Sequence, residues 1–375
     1  YSSSQEIEET VVITSAFIDT AEINNPLYII DGDDIAESAT TSLGDFIDEY
    51  LGISIADYGA AVGQPIIRGM SGPRVKILKN GMVNRDVSGL GVDHLNDLDL
   101  HDVQQVEIVK GPSSLLYANG TTGGIINVVD DCISALNYEL PEINIGYETQ
   151  SVNDGSSEFF NVKSMVAGFN VNFGYKNTEF GNYDIPNGAI MHEEEHHNED
   201  DHDEDHHDED MHEENFGYLN NSDYAVEATK FGISKVGDWG YVGFSIDNLE
   251  SVYGIPFHGD EHGDEHDDDH EDEHGDEHGD EHGEERIFST TDSESFTIKG
   301  SYNVNGNLVN KIDFTYRDSD YTLTEDHEEE HSEHGEEHDD DHGDEHDDEH
   351  APTVFSNQAV ESVSYTHLTL PTNLS

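Results

Sequence analysis

Basic residues are scarce. The 375 residues hold 14 Lys plus Arg against 85 Asp plus Glu, a formal charge of −71. A field of that sign repels nucleic acid and anionic membrane surfaces and attracts cations, which argues against the first two as partners. Cysteine occurs once, at Cys132, so an internal disulfide is excluded. No apolar run approaches the length of a membrane-spanning helix. That absence leaves a membrane barrel open, because a barrel hides its hydrophobicity in alternation. No signal peptide is visible, and the chain opens at "YSSSQ" as a processed or clipped terminus would.

What is present is histidine set in carboxylate. Residues 192–214, 258–285 and 325–350 contain 14, 16 and 16 acidic residues, no Lys or Arg, and 21 of the 24 histidines. The first stretch carries His192, His196, His197, His202, His206, His207 and His212. The second carries His258, His262, His266, His270, His274, His278 and His282 at a strict four-residue spacing. The third carries His327, His331, His334, His338, His342, His346 and His350. Neutral imidazole suits Zn, Cu(II) and Ni(II), and the only soft ligand in these stretches is the thioether of Met211, which argues against Cu(I). On a helix the four-residue spacing would align the second set on one face. Glycines at 259, 263, 275, 279 and 283 each penalise a free helix by about 1 kcal/mol, so the expectation is a loop without fixed structure that orders locally on metal. Neighbouring carboxylates raise the histidine pKa values, so protons compete with metal and binding weakens in acid. A solvated acidic tract without function would need no histidine. The composition favours metal capture, with zinc as the leading ion.

The rest of the chain reads as two regions. Residues 1–133 have the pattern of an α+β unit. "SLGDFIDEYLGI" has helical spacing, with Leu43, Phe46, Ile47 and Leu51 on one face. "RVKILKNGM" reads as a strand entering an Asn-Gly turn, and "VQQVEIVKG" and "GGIINVVD" as further strands. From Ala135 onward long strands alternate, apolar or aromatic on one face and polar or small on the other, as in "INIGYET", "NVNFGYK" and "YVGFSID". Connections between them alternate in length. Tight links near Gly168, at 237–240 and at 303–307 are interleaved with the three histidine-rich stretches. In an up-and-down meander every second connection falls on one side, which places all three stretches on one rim. Short turns on one side and long loops on the other are the habit of outer-membrane barrels.

At "PIIRGMSG" (65–72), "RVKILKNGM" (74–82) and "VEIVKGPSSLLYANGTTGGIINVV" (106–129) the chain resembles the TonB-dependent outer-membrane receptors. The resemblance implies a fold class: an α+β plug domain over 1–133, followed over 134–362 by the first strands of an antiparallel transmembrane β-barrel. "ETVVITS", that is Glu9, Thr10, Val11, Val12, Ile13, Thr14 and Ser15, looks like the family's TonB box, and reads equally as the first plug strand. As a box it would pair in extended form with an edge strand of the energising partner, a TonB-type protein of the periplasm. Zinc-transporting members are similar in their His/Asp/Glu-rich external loops and in an Asp-His pair on a plug loop. Asp93 and His94 stand in that place in "VSGLGVDHLNDLDL" (87–100). From residue types alone this pair is an ordinary exposed polar loop.

Seven or eight strands are expected here, against about twenty-two in the family's plugged barrels, so the chain reads as an amino-terminal fragment. "VSYTHLTLPT" (363–372) looks like a translated sequencing-library adapter, and 363–375 is expected to be non-native; its other reading is a genuine eighth strand. The functional expectation is a zinc receptor of a Gram-negative outer membrane, not an enzyme and without a catalytic cofactor. Its partners would be a divalent metal ion, outer-membrane lipid and the TonB-type protein. The alternatives are uptake of nickel, copper, haem or a metal chelate such as a siderophore, or a surface protein that buffers metal.

Overall fold

The computed structural model describes residues 27–32, 35, 42–57, 62–91, 94–96, 98–111, 114–115, 117–186, 217–256, 286–304, 306, 309–328 and 352–368. The amino-terminal unit contains β1 (Leu27–Asp31), α1 (Leu43–Ile47), β2 (Ile53–Asp57), β3 (Gly63–Ile67), β4 (Val75–Lys79), β5 (Met82–Val83), β6 (Val103–Lys110) and β7 (Gly124–Asp130). Five strands form one sheet in the order β1-β6-β7-β4-β5, while β2 and β3 pair only with each other among the described residues. Only β4 and β7 run parallel. The Asn-Gly turn is as read: Asn80 and Gly81 have φ of 54° and 80°, both left-handed, which closes β4 onto β5 as a tight hairpin. Ile30, Ile47, Ile67, Val106, Ile108 and Ile126 fill the core.

One expectation on this unit is corrected. The helix stops at Ile47, and Leu51 is 85% exposed in the following turn instead of sharing the core face with Leu43 and Ile47. Gly52, at φ 80°, reverses the chain into β2 and so ends the helical register before Leu51.

Beyond Cys132 the chain enters an eight-stranded antiparallel meander. In sequence order its strands are β8 (Glu142–Gln150), β9 (Gly155–Val166), β10 (Phe169–Phe180), β13 (Tyr224–Gly237), β14 (Gly240–Gly254), β15 (Arg286–Asn303), β16 (Val309–Glu328) and β17 (Thr353–Leu368). A small ribbon of β11 (Tyr183–Asp184) and β12 (Tyr218–Leu219) closes the chain ends between β10 and β13. Seven of the eight strands, of 12 to 20 residues, exceed the roughly 9–11 that a tilted strand needs to cross a bilayer, and β8 has nine. No described helix is long and apolar enough to cross one.

The sheet is polar inside and apolar outside. On β14, Val242, Phe244 and Ile246 are each nearly 40% exposed, whereas Gly243 and Ser245 between them are buried. On β8, Ile143, Ile145 and Tyr147 are 61–73% exposed. Asn161 and Lys163 of β9, Asn170 and Asn172 of β10 and Lys230 of β13 are buried beneath the sheet. A soluble sandwich buries its apolar face; this sheet does the reverse, as a wall between lipid and a packed interior does.

The amino-terminal unit supplies that interior. Chain reversals at 166–169, 237–240 and 303–309 lie on one edge of the sheet, the first through Ala167 and Gly168 at φ 53° and 78°. The connections that carry the three histidine-rich stretches all leave the opposite edge. β16 extends to Glu328, paired with Arg286, so the first four residues of the third stretch belong to the wall.

Candidate metal centre

Between β5 and β6 the chain packs against the inner face of the wall, and His94 lies in this segment. The side chain of His94 is 8% exposed, so the residue is not part of an exposed polar loop. Its ring sits edge-on to Phe355 of β17, with centroids 6.3 Å apart. Val62, Val87 and Leu95 from below and Tyr253, Ile255, Ile287, Tyr321 and Leu323 from the wall form an apolar collar at this level. Into that collar comes one carboxylate: Glu325 Oε1 stands 3.7 Å from His94 Nδ1. His94 Nδ1 is buried and has no hydrogen-bond partner among the described residues. An unpaired polar atom in such a place is costly, and a water or an ion held with Glu325 would satisfy it.

The backbone around His94 is held from two sides. Gln64 Nε2 donates to His94 O at 2.7 Å, and Asn96 Nδ2 donates to Gly63 O at 3.3 Å. Leu95 N approaches Tyr253 Oη at 3.5 Å. Ile255 lies at the head of the connection that carries 258–285, Ile287 just after it, and Glu325 opens the third stretch. Two of the three histidine-rich stretches are therefore rooted at the level of His94.

Below this point the unit is bound to the wall by ion pairs. Asp99 pairs with Lys230 at 3.1 Å, and Lys230 Nζ also donates to His101 O at 2.6 Å. Lys163 bridges Asp102 at 2.6 Å and Asp131 at 3.0 Å. Lys79 reaches Asp247 at 2.9 Å, and Arg317 Nη2 donates to Lys79 O at 3.1 Å. Arg85 pairs with Glu361. Burial pushes the Asp99 carboxyl up, but Lys230 and the bond with His101 hold it well below the usual range. Burial and the Lys176 charge lower His101 against the opposing pull of Asp99. Burial raises the Asp131 carboxyl, despite Lys163 beside it. Burial, with Asp247 and Asp130 close by, pushes the Cys132 thiol well up, which leaves it unreactive. A cavity of about 60 Å³ is lined by Lys79, Arg85 and Asp99 on one side and by Lys230, Asp247 and Arg317 of the wall on the other.

Of the metal-site residues expected from sequence, His94 is placed in this centre and His327 lies on β16 opposite Ile287. Asp93, the histidines from 192 to 282 and from 331 to 350, and the segment Glu9–Ser15 lie outside the described residues. The described residues bring together no group of three or more His, Cys, Asp or Glu that could hold a metal; the centre consists of His94 and Glu325. Sequence reading passed over Glu325, Gln64 and Tyr253. It also passed over the ion-pair seam, whose signal was lysine at inward positions of strands otherwise lined by Asn, Ser and Gly.

Residues 19–125 match the family model described as TonB-dependent Receptor Plug Domain. The hemin receptor of Yersinia enterocolitica is 30% identical over 154 residues, which are 40% of this chain and 22% of that protein. Among solved structures, the copper transporter OprC superposes with a TM-score of 0.58 at 12% identity, over 80% of this chain and 38% of that one. The FrpB iron transporter from Neisseria meningitidis gives 0.56 at 12% identity, over 80% and 41%. At such identities these likenesses show the fold alone. The chain thus carries a TonB-dependent receptor plug domain packed against part of an antiparallel β-barrel. The matched part spans about a quarter of the length of the curated relatives.

Proposed function

We propose that this chain is part of a TonB-dependent receptor of a Gram-negative outer membrane that takes up zinc ions. In this reading the histidine-rich stretches collect the ion, and His94 with Glu325 and Asp93 select it. A periplasmic TonB-type protein then drives transport by pulling on the plug. The observation that carries the reading is the buried, unpartnered Nδ1 of His94 facing Glu325 at 3.7 Å, on the rim where the histidine-rich stretches arise. Two ligand atoms at about 2.0–2.1 Å from one tetrahedral zinc stand about 3.4 Å apart, so a small closure would seat both on one ion. Imidazole with carboxylate suits zinc better than calcium or magnesium, which take oxygen alone. The remaining positions would be filled by Asp93 and by histidines of the stretches above.

The test uses the complete receptor in a strain without other zinc importers. His94→Ala and Glu325→Gln are each expected to raise the zinc concentration for half-maximal uptake by at least tenfold, at unchanged surface abundance. Normal half-saturation in both variants would remove the site. Growth on limiting zinc separates uptake from mere surface buffering, which would not support it.

A second reading, haem uptake, is favoured by the likeness to the hemin receptor of Yersinia enterocolitica. It expects a shifted haem absorption band on adding haem to the purified receptor. The zinc reading expects none.

A further inference from the structure

Two hydrogen bonds stitch the His94 segment to consecutive residues of one strand. Gln64 on β3, 3% exposed, donates to His94 O, and Asn96, 7% exposed, donates back to Gly63 O. They bracket the imidazole, one at the ligand residue and one two residues beyond it. β3 is set apart from the five-stranded plug sheet and pairs only with β2 among the described residues. Its displacement would break the five-residue ladder to β2 and none of the larger sheet's own strand pairings. Glu325 belongs to the wall, so the two ligands of the centre ride on separate bodies, one tied to β3 and one fixed in β16.

We propose that Gln64 is the positioning residue of the metal centre, holding His94 opposite Glu325 only while β3 is seated. This rests on the reading of His94 and Glu325 as ligands. A metal site binds tightly when its ligands are fixed before the ion arrives, and fixing them is the role of neighbours that do not touch the ion. Gln64 does this through the backbone: its amide pins the carbonyl of His94, and Asn96 stops the segment from rotating about that single bond. If β3 shifts, both bonds are lost together, and the imidazole no longer has a set distance to the carboxylate.

The experiment compares zinc uptake by the complete receptor and its Gln64→Met variant, which keeps the buried volume and removes the donor. The zinc concentration for half-maximal uptake is expected to rise about tenfold, the low end for loss of an outer-shell contact. Maximal rate and surface abundance stay as they were. Asn96→Ser is expected to shift half-saturation in the same direction and by less. A variant with normal half-saturation and a lowered maximal rate would mean that Gln64 serves only the fold, and the proposal is lost. Should Gln64→Met fail to reach the surface, Asn96→Ser decides, and unchanged half-saturation there overturns the proposal. His94→Ala distinguishes the two levels. If it leaves half-saturation unchanged, the site itself is wrong; if it shifts half-saturation and Gln64→Met does not, only the positioning role fails.

Discussion

His101 shows how much a single side chain in the seam decides. Its ring meets that of Phe159 of β9 at a 56° tilt with centroids 4.6 Å apart, its carbonyl takes a bond from Lys230 of β13, and Lys176 of β10 lies near. Asp99 and Asp102 on its own segment, Lys163 of β9 and Asp131 beyond β7 complete the charges around it. Burial and Lys176 lower its pKa from 6.5, so the docked plug holds the ring neutral. The undocked state binds the proton more readily, so docking is stabilised above pH 6.5 and loses that stability as pH falls below it. Proteolysis of the plug in detergent-solubilised receptor is therefore expected to accelerate from pH 7.5 to 5.5. In His101→Gln, which keeps a polar ring-sized group and cannot charge, the acceleration should shrink; an unchanged pH profile would mean that another group titrates. This residue was not legible in the sequence. "DLDLHDV" reads as a polar turn, and only the placement of β9, β10 and β13 surrounds its histidine with lysines. His94 was legible through the family resemblance, whereas Glu325 was one acid among 16 in its stretch with nothing local to mark it.

At the scale of the strands, the alternation was readable and its direction was not. Period two gave β8, β10 and β14, and the turn at Asn80 and Gly81 gave the β4–β5 hairpin. Which face was inner depended on the charged side chains. Lys163, Lys230 and Arg317 point to the plug because its Asp99, Asp102, Asp131 and main-chain carbonyls are there to meet them. The register also creates a conflict on the outer face. Glu227 of β13 lies directly opposite Glu250 of β14, which lies opposite Asp292 of β15. All three are exposed. Like charges facing across strands destabilise a sheet, so Glu250→Gln is expected to stabilise the folded receptor by up to about 1 kcal/mol. Heat-modifiability on gels measures it. The gain should vanish in 1 M salt, where the Debye length is about 3 Å. A gain that persists there would have to come from something other than repulsion.

Across the whole molecule, the acidity that excluded nucleic acid is segregated. The connections that carry the histidine-rich stretches leave one edge of the sheet, and Lys163, Lys230 and Arg317 of the wall are engaged by the plug. Under the proposed reading, collection and selection fall on different parts of the chain, and the strand boundary at Glu328 shifts the border between them. Residues 192–214 and 258–285 belong wholly to connections, but the third stretch does not: Glu325–Glu328 are the end of β16, and Glu325 faces His94. Removing 192–214, 258–285 and 329–350 from the complete receptor should lower local supply without touching the centre. About tenfold more zinc would be needed for the same growth, by the scale of lost outer ligands, and the maximal rate would be kept. Extending the last deletion by four residues, to 325–350, removes Glu325 and shortens the strand that carries it. That variant should lose uptake at every zinc concentration, as His94→Ala with Asp93→Ala should. Restoring only Glu325–Glu328 to it should return transport to the level of the shorter deletion. Both deletions behaving alike would place selection in the histidine-rich stretches themselves and leave His94 without a role in uptake.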